Sequence, residues 1–141
     1  MQTDEVNSSK TTAQLLEPSR SVLLIEEHQQ VRDALARSLT DQLGFRLAQV
    51  TPYLPSRPEG VMILDPKVIL IGLPQRSVTT PQTLLQHIEY WVSVGISIVM
   101  LVTYIDPEEK ELMVEAGVYA YVHKTIDVQK LGKVISMALI S

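Results

Sequence analysis

Four stretches of this sequence end in residues that could share one piece of chemistry. Glu26 and Glu27 follow the apolar run Val22-Leu23-Leu24-Ile25. Gly72 closes Val68-Ile69-Leu70-Ile71, Val102 and Thr103 close the run that begins at Ile96, and Lys124 follows Tyr119 to His123. In an open parallel sheet, residues just past the strand ends meet in one crevice. Two carboxylates and an ammonium there could hold a divalent cation through oxygen ligands, or could neutralise one another. The third strand is the anomaly. A carboxylate, a Ser or a Cys at its tip would suggest a reactive group, and Gly72 has no side chain.

The elements that must position these residues are legible from periodicity. Ser21 to Ile25 reads as a short buried strand. From Gln30 to Leu43, Val31, Ala34, Leu35, Leu39 and Leu43 recur at helical spacing, and Gly44 supplies a stop. Phe45 to Thr51 reads as a strand nearer the sheet edge. Pro52, Pro55 and Pro58 crowd the next segment, which predicts at most a short helical turn at Glu59 to Leu64. Val68 to Gly72 is a buried central strand. Thr80 and Pro81 then open a helix that buries Leu84, Leu85, Ile88 and Val92, with Trp91 flanking, and ends at Gly95. Ile96 to Thr103 is another apolar strand. Asp106-Pro107-Glu108-Glu109 has the form of a capping box before a helix that closes at Ala116-Gly117. Tyr119 to His123 is a strand, and Val128 to Leu139 a last amphipathic helix. This alternation implies an α/β fold with right-handed crossovers, a parallel sheet and helices on both faces.

Composition narrows the classes. The chain has 141 residues, room for one domain with a real core. Its net charge is −4 and it contains no cysteine, so disulfides, thiolate metal sites and Cys nucleophiles are excluded. It has no basic stripe for nucleic acid, no apolar run of bilayer length and no Gly-rich phosphate loop. Residues 1–20 are rich in Thr, Ser, Gln, Asp and Glu, with Ala13, Leu15 and Leu16 their only apolar cluster, and read as a tail, leaving 21–141 as the domain. His28, His87 and His123 lack metal-ligand spacing and read as surface or capping residues.

Two motifs carry a resemblance. Val22-Leu23-Leu24-Ile25-Glu26-Glu27-His28-Gln29-Gln30-Val31-Arg32 resembles the opening of a response-regulator receiver domain, with its hydrophobics, two acids, His and Val-Arg. Ala116-Gly117-Val118-Tyr119-Ala120-Tyr121-Val122-His123-Lys124 resembles that family's Ala-Gly, aromatic and Lys signature. Val99 to Tyr104 and Asp106-Pro107-Glu108 resemble its fourth strand and exit. The resemblance covers Ser21 to Ser141 and implies a flavodoxin-like (CheY-like), doubly wound sheet of five parallel strands in the order 2-1-3-4-5. The family phosphorylates an Asp commonly 52 positions before the Lys, which falls here on Gly72, and places a Ser/Thr commonly 30 positions later, on Val102. A one-residue gap would bring Thr103 there. Asp65 precedes the third strand and lies at its opposite end.

The expectation is therefore a degenerate, or pseudo-, receiver with no catalytic residues, no metal and no cofactor. Its acidic pocket comprises Glu26, Glu27, Gly72, Val102, Thr103 and Lys124, with Lys124 paired to one Glu in preference to binding an anion. Tyr121 matches the family's switch aromatic, and with Tyr119 on the same face it would form an exposed patch. The expected partner is a signalling protein or a second copy, through the fourth helix, fifth strand and fifth helix (the α4-β5-α5 face, counting the short turn at 59–64 as the second helix). DNA contact would need a separate domain beyond Ser141, as in transcription regulators, and the expected location is cytoplasmic. The alternative is a small-ligand-sensing flavodoxin-like domain.

Overall fold

A computed structural model describes residues 21–73 and 81–141. Its strands are β1 (Ser21–Glu26), β2 (Arg46–Thr51), β3 (Val68–Gly72), β4 (Ser97–Val102) and β5 (Ala120–His123). Its helices are α1 (Gln29–Arg37), α2 (Pro58–Leu64), α3 (Pro81–Ser93), α4 (Pro107–Glu115) and α5 (Val128–Leu139). All strand pairs are parallel and the order is β2-β1-β3-β4-β5. This is the expected 2-1-3-4-5 sheet. β2, the least apolar strand, is at an edge. Thr80, the expected cap of α3, lies outside the described residues.

Alternation along the strands sorts the core into two layers. Leu23, Ile25, Ile69, Ile71, Met100 and Val102 face α2, α3 and α4, where Val61, Ile88, Trp91 and Met113 complete one cluster. Val22, Leu24, Val68, Leu70, Val99 and Leu101 face α1 and α5, with Leu39, Leu131, Ile135 and Ala138. The same parity sends the end residues Glu26 and Gly72 to the α1–α5 side.

Two elements depart from the simple pattern. The region 52–64 does not form an α-helix: α2 is 3₁₀ throughout, with Pro58 in its first turn. The prolines remove backbone donors and restrict the residues before them. Side chains of α3 hold this segment in place of a helix ladder. Trp91 Nε1 donates to Pro58 O at 2.7 Å, and the His87 ring nitrogens lie 2.9 Å from Thr83 O and 2.7 Å from Pro55 O. His87 is therefore buried, not a surface or capping residue, and its ring packs edge-on against Trp91. Trp91 is fully buried and belongs to the core proper.

The second departure is in the first helix. It continues past Arg37 as a π-helical turn, Ser38–Gln42, where Leu43 N donates to Ser38 O. Thr40 Oγ1 donates back to Ala36 O at 2.8 Å, the kind of bond that bends a helix. Gly44 then takes a φ of 72° and ends it, as the stop signal predicted.

Candidate functional site

β1, β3 and β5 deliver the central residues. Glu26 is the last residue of β1 and pairs in register with Gly72 at the end of β3. Lys124 follows β5, and its backbone N–H donates to Val102 O, which seats it beside β4. The Lys124 ammonium lies 3.1 Å from Glu26 Oε1 and 3.2 Å from Oε2, and donates to Gly72 O at 2.8 Å. His28 N donates to Glu26 Oε2 at 3.0 Å. Arg32 reaches back to the carbonyl oxygens of Glu26 and Glu27 and secures the turn between β1 and α1. The Glu26 side chain is fully buried and that of Lys124 is 12% exposed, so this is an interior ion pair. Oε1 is close to the ammonium without hydrogen-bond geometry toward it, and it has no other partner among the described residues.

The direction of the Glu26 carboxylate explains Gly72. A Cβ built on Gly72 would lie 2.1 Å from Glu26 Oε1 and 3.1 Å from its Cδ. The carboxylate of the first strand thus fills the space in front of the third strand, where a side chain at position 72 would begin. Gly72 is not a turn glycine here. It is the residue that leaves room for Glu26.

The other predicted residues separate. Of the two acids, Glu26 pairs with Lys124, whereas Glu27 is exposed. Val102 is buried in the α3–α4 core, and Thr103 is exposed past the end of β4. The donor set does not fit a Mg²⁺ ion. Such an ion takes six oxygen ligands in near-octahedral geometry, Gly72 supplies none from a side chain, and the one buried carboxylate is already held by an ammonium and an amide. Among the described residues no group of three or more His, Cys, Asp or Glu could hold a metal.

Tyr121 and Tyr119 do not form the expected exposed pair. Tyr119 lies just before β5 and is 40% exposed, but Tyr121 is turned inward at 6%. Its hydroxyl sits within the cap of α4. Asp106 accepts from Glu108 N and Glu109 N, the forward half of the capping box. For the reverse half, Asp106 N points at the Tyr121 hydroxyl at 3.5 Å, and that hydroxyl donates to Glu109 Oε1. Burial, and then the bond to Glu109, push the Tyr121 phenol up to about 12. The spacing of Asp106 and Glu109 marked the cap. Only tertiary packing could bring an aromatic from β5 into it.

No protein-family model matches the chain, and no curated protein matches it. Solved structures do match in fold. A DNA-binding response regulator of the LuxR family from Staphylococcus aureus superposes with a TM-score of 0.70 at 20% identity, covering 85% of this chain and 98% of its own. The signal receiver domain of a modulated diguanylate cyclase from Desulfovibrio desulfuricans gives 0.71 at 16%, covering 85% and 93%. A CheY-like receiver domain protein from Methanospirillum hungatei gives 0.66 at 14%, covering 86% and 94%. The chain has the CheY-like receiver fold.

Proposed function

We propose that this chain is a receiver-like signalling module that works by protein–protein contact and does not take up a phosphoryl group. The observation that carries the reading is the Glu26 carboxylate lodged in front of Gly72 and held by Lys124. Phosphoryl transfer to a receiver needs a nucleophilic oxygen at that point and a metal beside it. A glycine supplies no nucleophile, and Glu26 leaves no space for one. The Lys124 pair then fixes the loops around the strand ends in one state, and regulation comes from abundance, a partner or a ligand. The contact face is that of α4, β5 and α5. Of its elements, α4 carries Leu112 and Val114 at 50% and 56% exposure on its two flanks, and Tyr119 just before β5 is 40% exposed, which supports exposed apolar surface around this face. The partner is a signalling protein or a second copy of the chain. The chain would serve as the regulatory part of a transcriptional response regulator, with any DNA contact made by a separate domain.

The test is incubation of the purified protein with acetyl phosphate and Mg²⁺, read by intact mass. The expected result is no base-labile adduct. An acyl-phosphate on any carboxylate would overturn the reading. Sedimentation with Leu112→Asp and Tyr119→Asp then distinguishes self-association from a protein that remains monomeric until a partner is added.

A further inference from the structure

The α1–α5 side of the sheet has a cavity that the Glu26–Lys124 pair does not account for. Its volume is about 320 Å³, at the lower end of the roughly 300–1,000 Å³ typical of small-molecule sites. Its floor is Leu101 and Leu131, which are core residues at 1% and 2% exposure, so it is a depression reaching the core rather than a flat surface. Val31 and Leu35 of α1 form one wall and remain half-buried. α1 has no fully buried residue at all, so its apolar stripe is only partly covered.

The polar groups of the cavity are few and are spread along its α1 wall and the β5 exit. Lys124 lines it, with Gln30 from the first turn of α1, and Ser38 contributes a hydroxyl. Ser38 is also where the helix becomes π-helical. Such turns are rare and cluster at functional sites, because the wider turn resets the side-chain direction in a helix wall. Among the described residues the lining has one cation and no acid. Lys124 lines the cavity while its fully buried partner Glu26 does not.

We propose that this cavity is a binding site for a small amphipathic organic anion: an apolar aliphatic or aromatic body over Leu101 and Leu131, and a carboxylate-type head toward Lys124. A second protein is the weaker occupant, because a depression with a core-residue floor and a single cation suits a compact ligand better than a broad apolar face. Since Lys124 belongs to both the cavity and the Glu26–Gly72 knot, occupancy would bear on the strand-end loops. That last step rests on the signalling reading above. The binding itself does not, and the acetyl phosphate test and the binding test can each fail alone.

The experiment uses methyl-labelled full chain titrated with sodium octanoate and, separately, with 1-octanol. Octanoate is expected to shift the methyl signals of Val31, Leu35, Leu101 and Leu131 saturably, at least several-fold more tightly than octanol. Ala34→Trp, at an exposed position of α1 on the cavity rim, should abolish the shifts while leaving the spectrum of the fold intact. Absence of saturable shifts would overturn the proposal. So would shifts centred on Leu43, Phe45 and Met137, which line a separate groove lower on the same seam, or binding unchanged in Ala34→Trp. Equal affinity for octanol would overturn the anionic head.

Discussion

Gly72→Ala tests the interpretation of the pocket most directly. The substitution adds one methyl group, and its position is known from the backbone: 2.1 Å from Glu26 Oε1, 3.1 Å from Glu26 Cδ and 3.5 Å from Lys124 Cε. A separation of 2.1 Å is far inside van der Waals contact, so the carboxylate must move. It cannot move freely, because it is fully buried and is held by Lys124 and by His28 N. Forcing a methyl group into a filled interior costs about 1–3 kcal/mol. If the displacement breaks the ion pair, leaving buried charges uncompensated, the loss rises toward about 3–5 kcal/mol. Replacing Gly by Ala also restricts the unfolded chain, which returns about 0.4–1 kcal/mol. The expected net loss with the ion pair kept is about 0.5–2.5 kcal/mol in urea unfolding, with an unchanged m-value. The control is Glu26→Asp, whose shorter side chain withdraws the carboxylate from Gly72. In that background Gly72→Ala should cost nearly nothing, giving a coupling energy of about 0.5–2.5 kcal/mol between the two positions. Gly72→Ala within about 0.5 kcal/mol of the parent protein, the range of an ordinary surface change, would refute the reasoning. So would equal losses in both backgrounds.

Further outcomes follow from the caps and the α3 contacts. Tyr121→Phe removes the hydroxyl from the α4 cap and should cost about 1.5–3 kcal/mol in urea unfolding, the range for a hydrogen bond to a charged group. The phenol of Tyr121 is raised to about 12 from an ordinary 10.0, so the neutral form is favoured in the folded state. Its stabilising contribution is whole below pH 10 and is lost as pH rises toward 12. Tyr121→Phe should flatten the stability profile over that window alone. Asp106→Ala removes the N-cap of α4 and should cost about 0.5–2 kcal/mol, with faster amide exchange at Glu108 and Glu109. Trp91→Phe leaves Pro58 O without its donor and should cost about 1–3 kcal/mol, with faster exchange concentrated in 52–64.

Much of this protein was legible in its sequence because periodicity and burial are local properties. Dense apolar runs such as Val68–Ile71 mark strands buried on both faces, and the strand-helix alternation allows few topologies. The strand ends, and hence the meeting of Glu26, Gly72 and Lys124, follow from that order. The stop at Gly44 and the cap at Asp106 were equally local. What the sequence left open was direction. It offered two adjacent acids and could not say which would face Lys124. The pleat sends Glu26 to the α1–α5 side, where Lys124 lies, while Glu27 falls past the strand in solvent. It marked Tyr119 and Tyr121 as sharing a face, yet only Tyr121 lies within β5, where packing draws its hydroxyl into the α4 cap. It placed His87 on a helix without showing the proline segment that closes over it. Gly72 shows the same division. That it has no side chain was plain from the sequence. That its missing Cβ is the space occupied by a carboxylate from β1 depends on two strands lying in register, an arrangement that exists only once the sheet has formed.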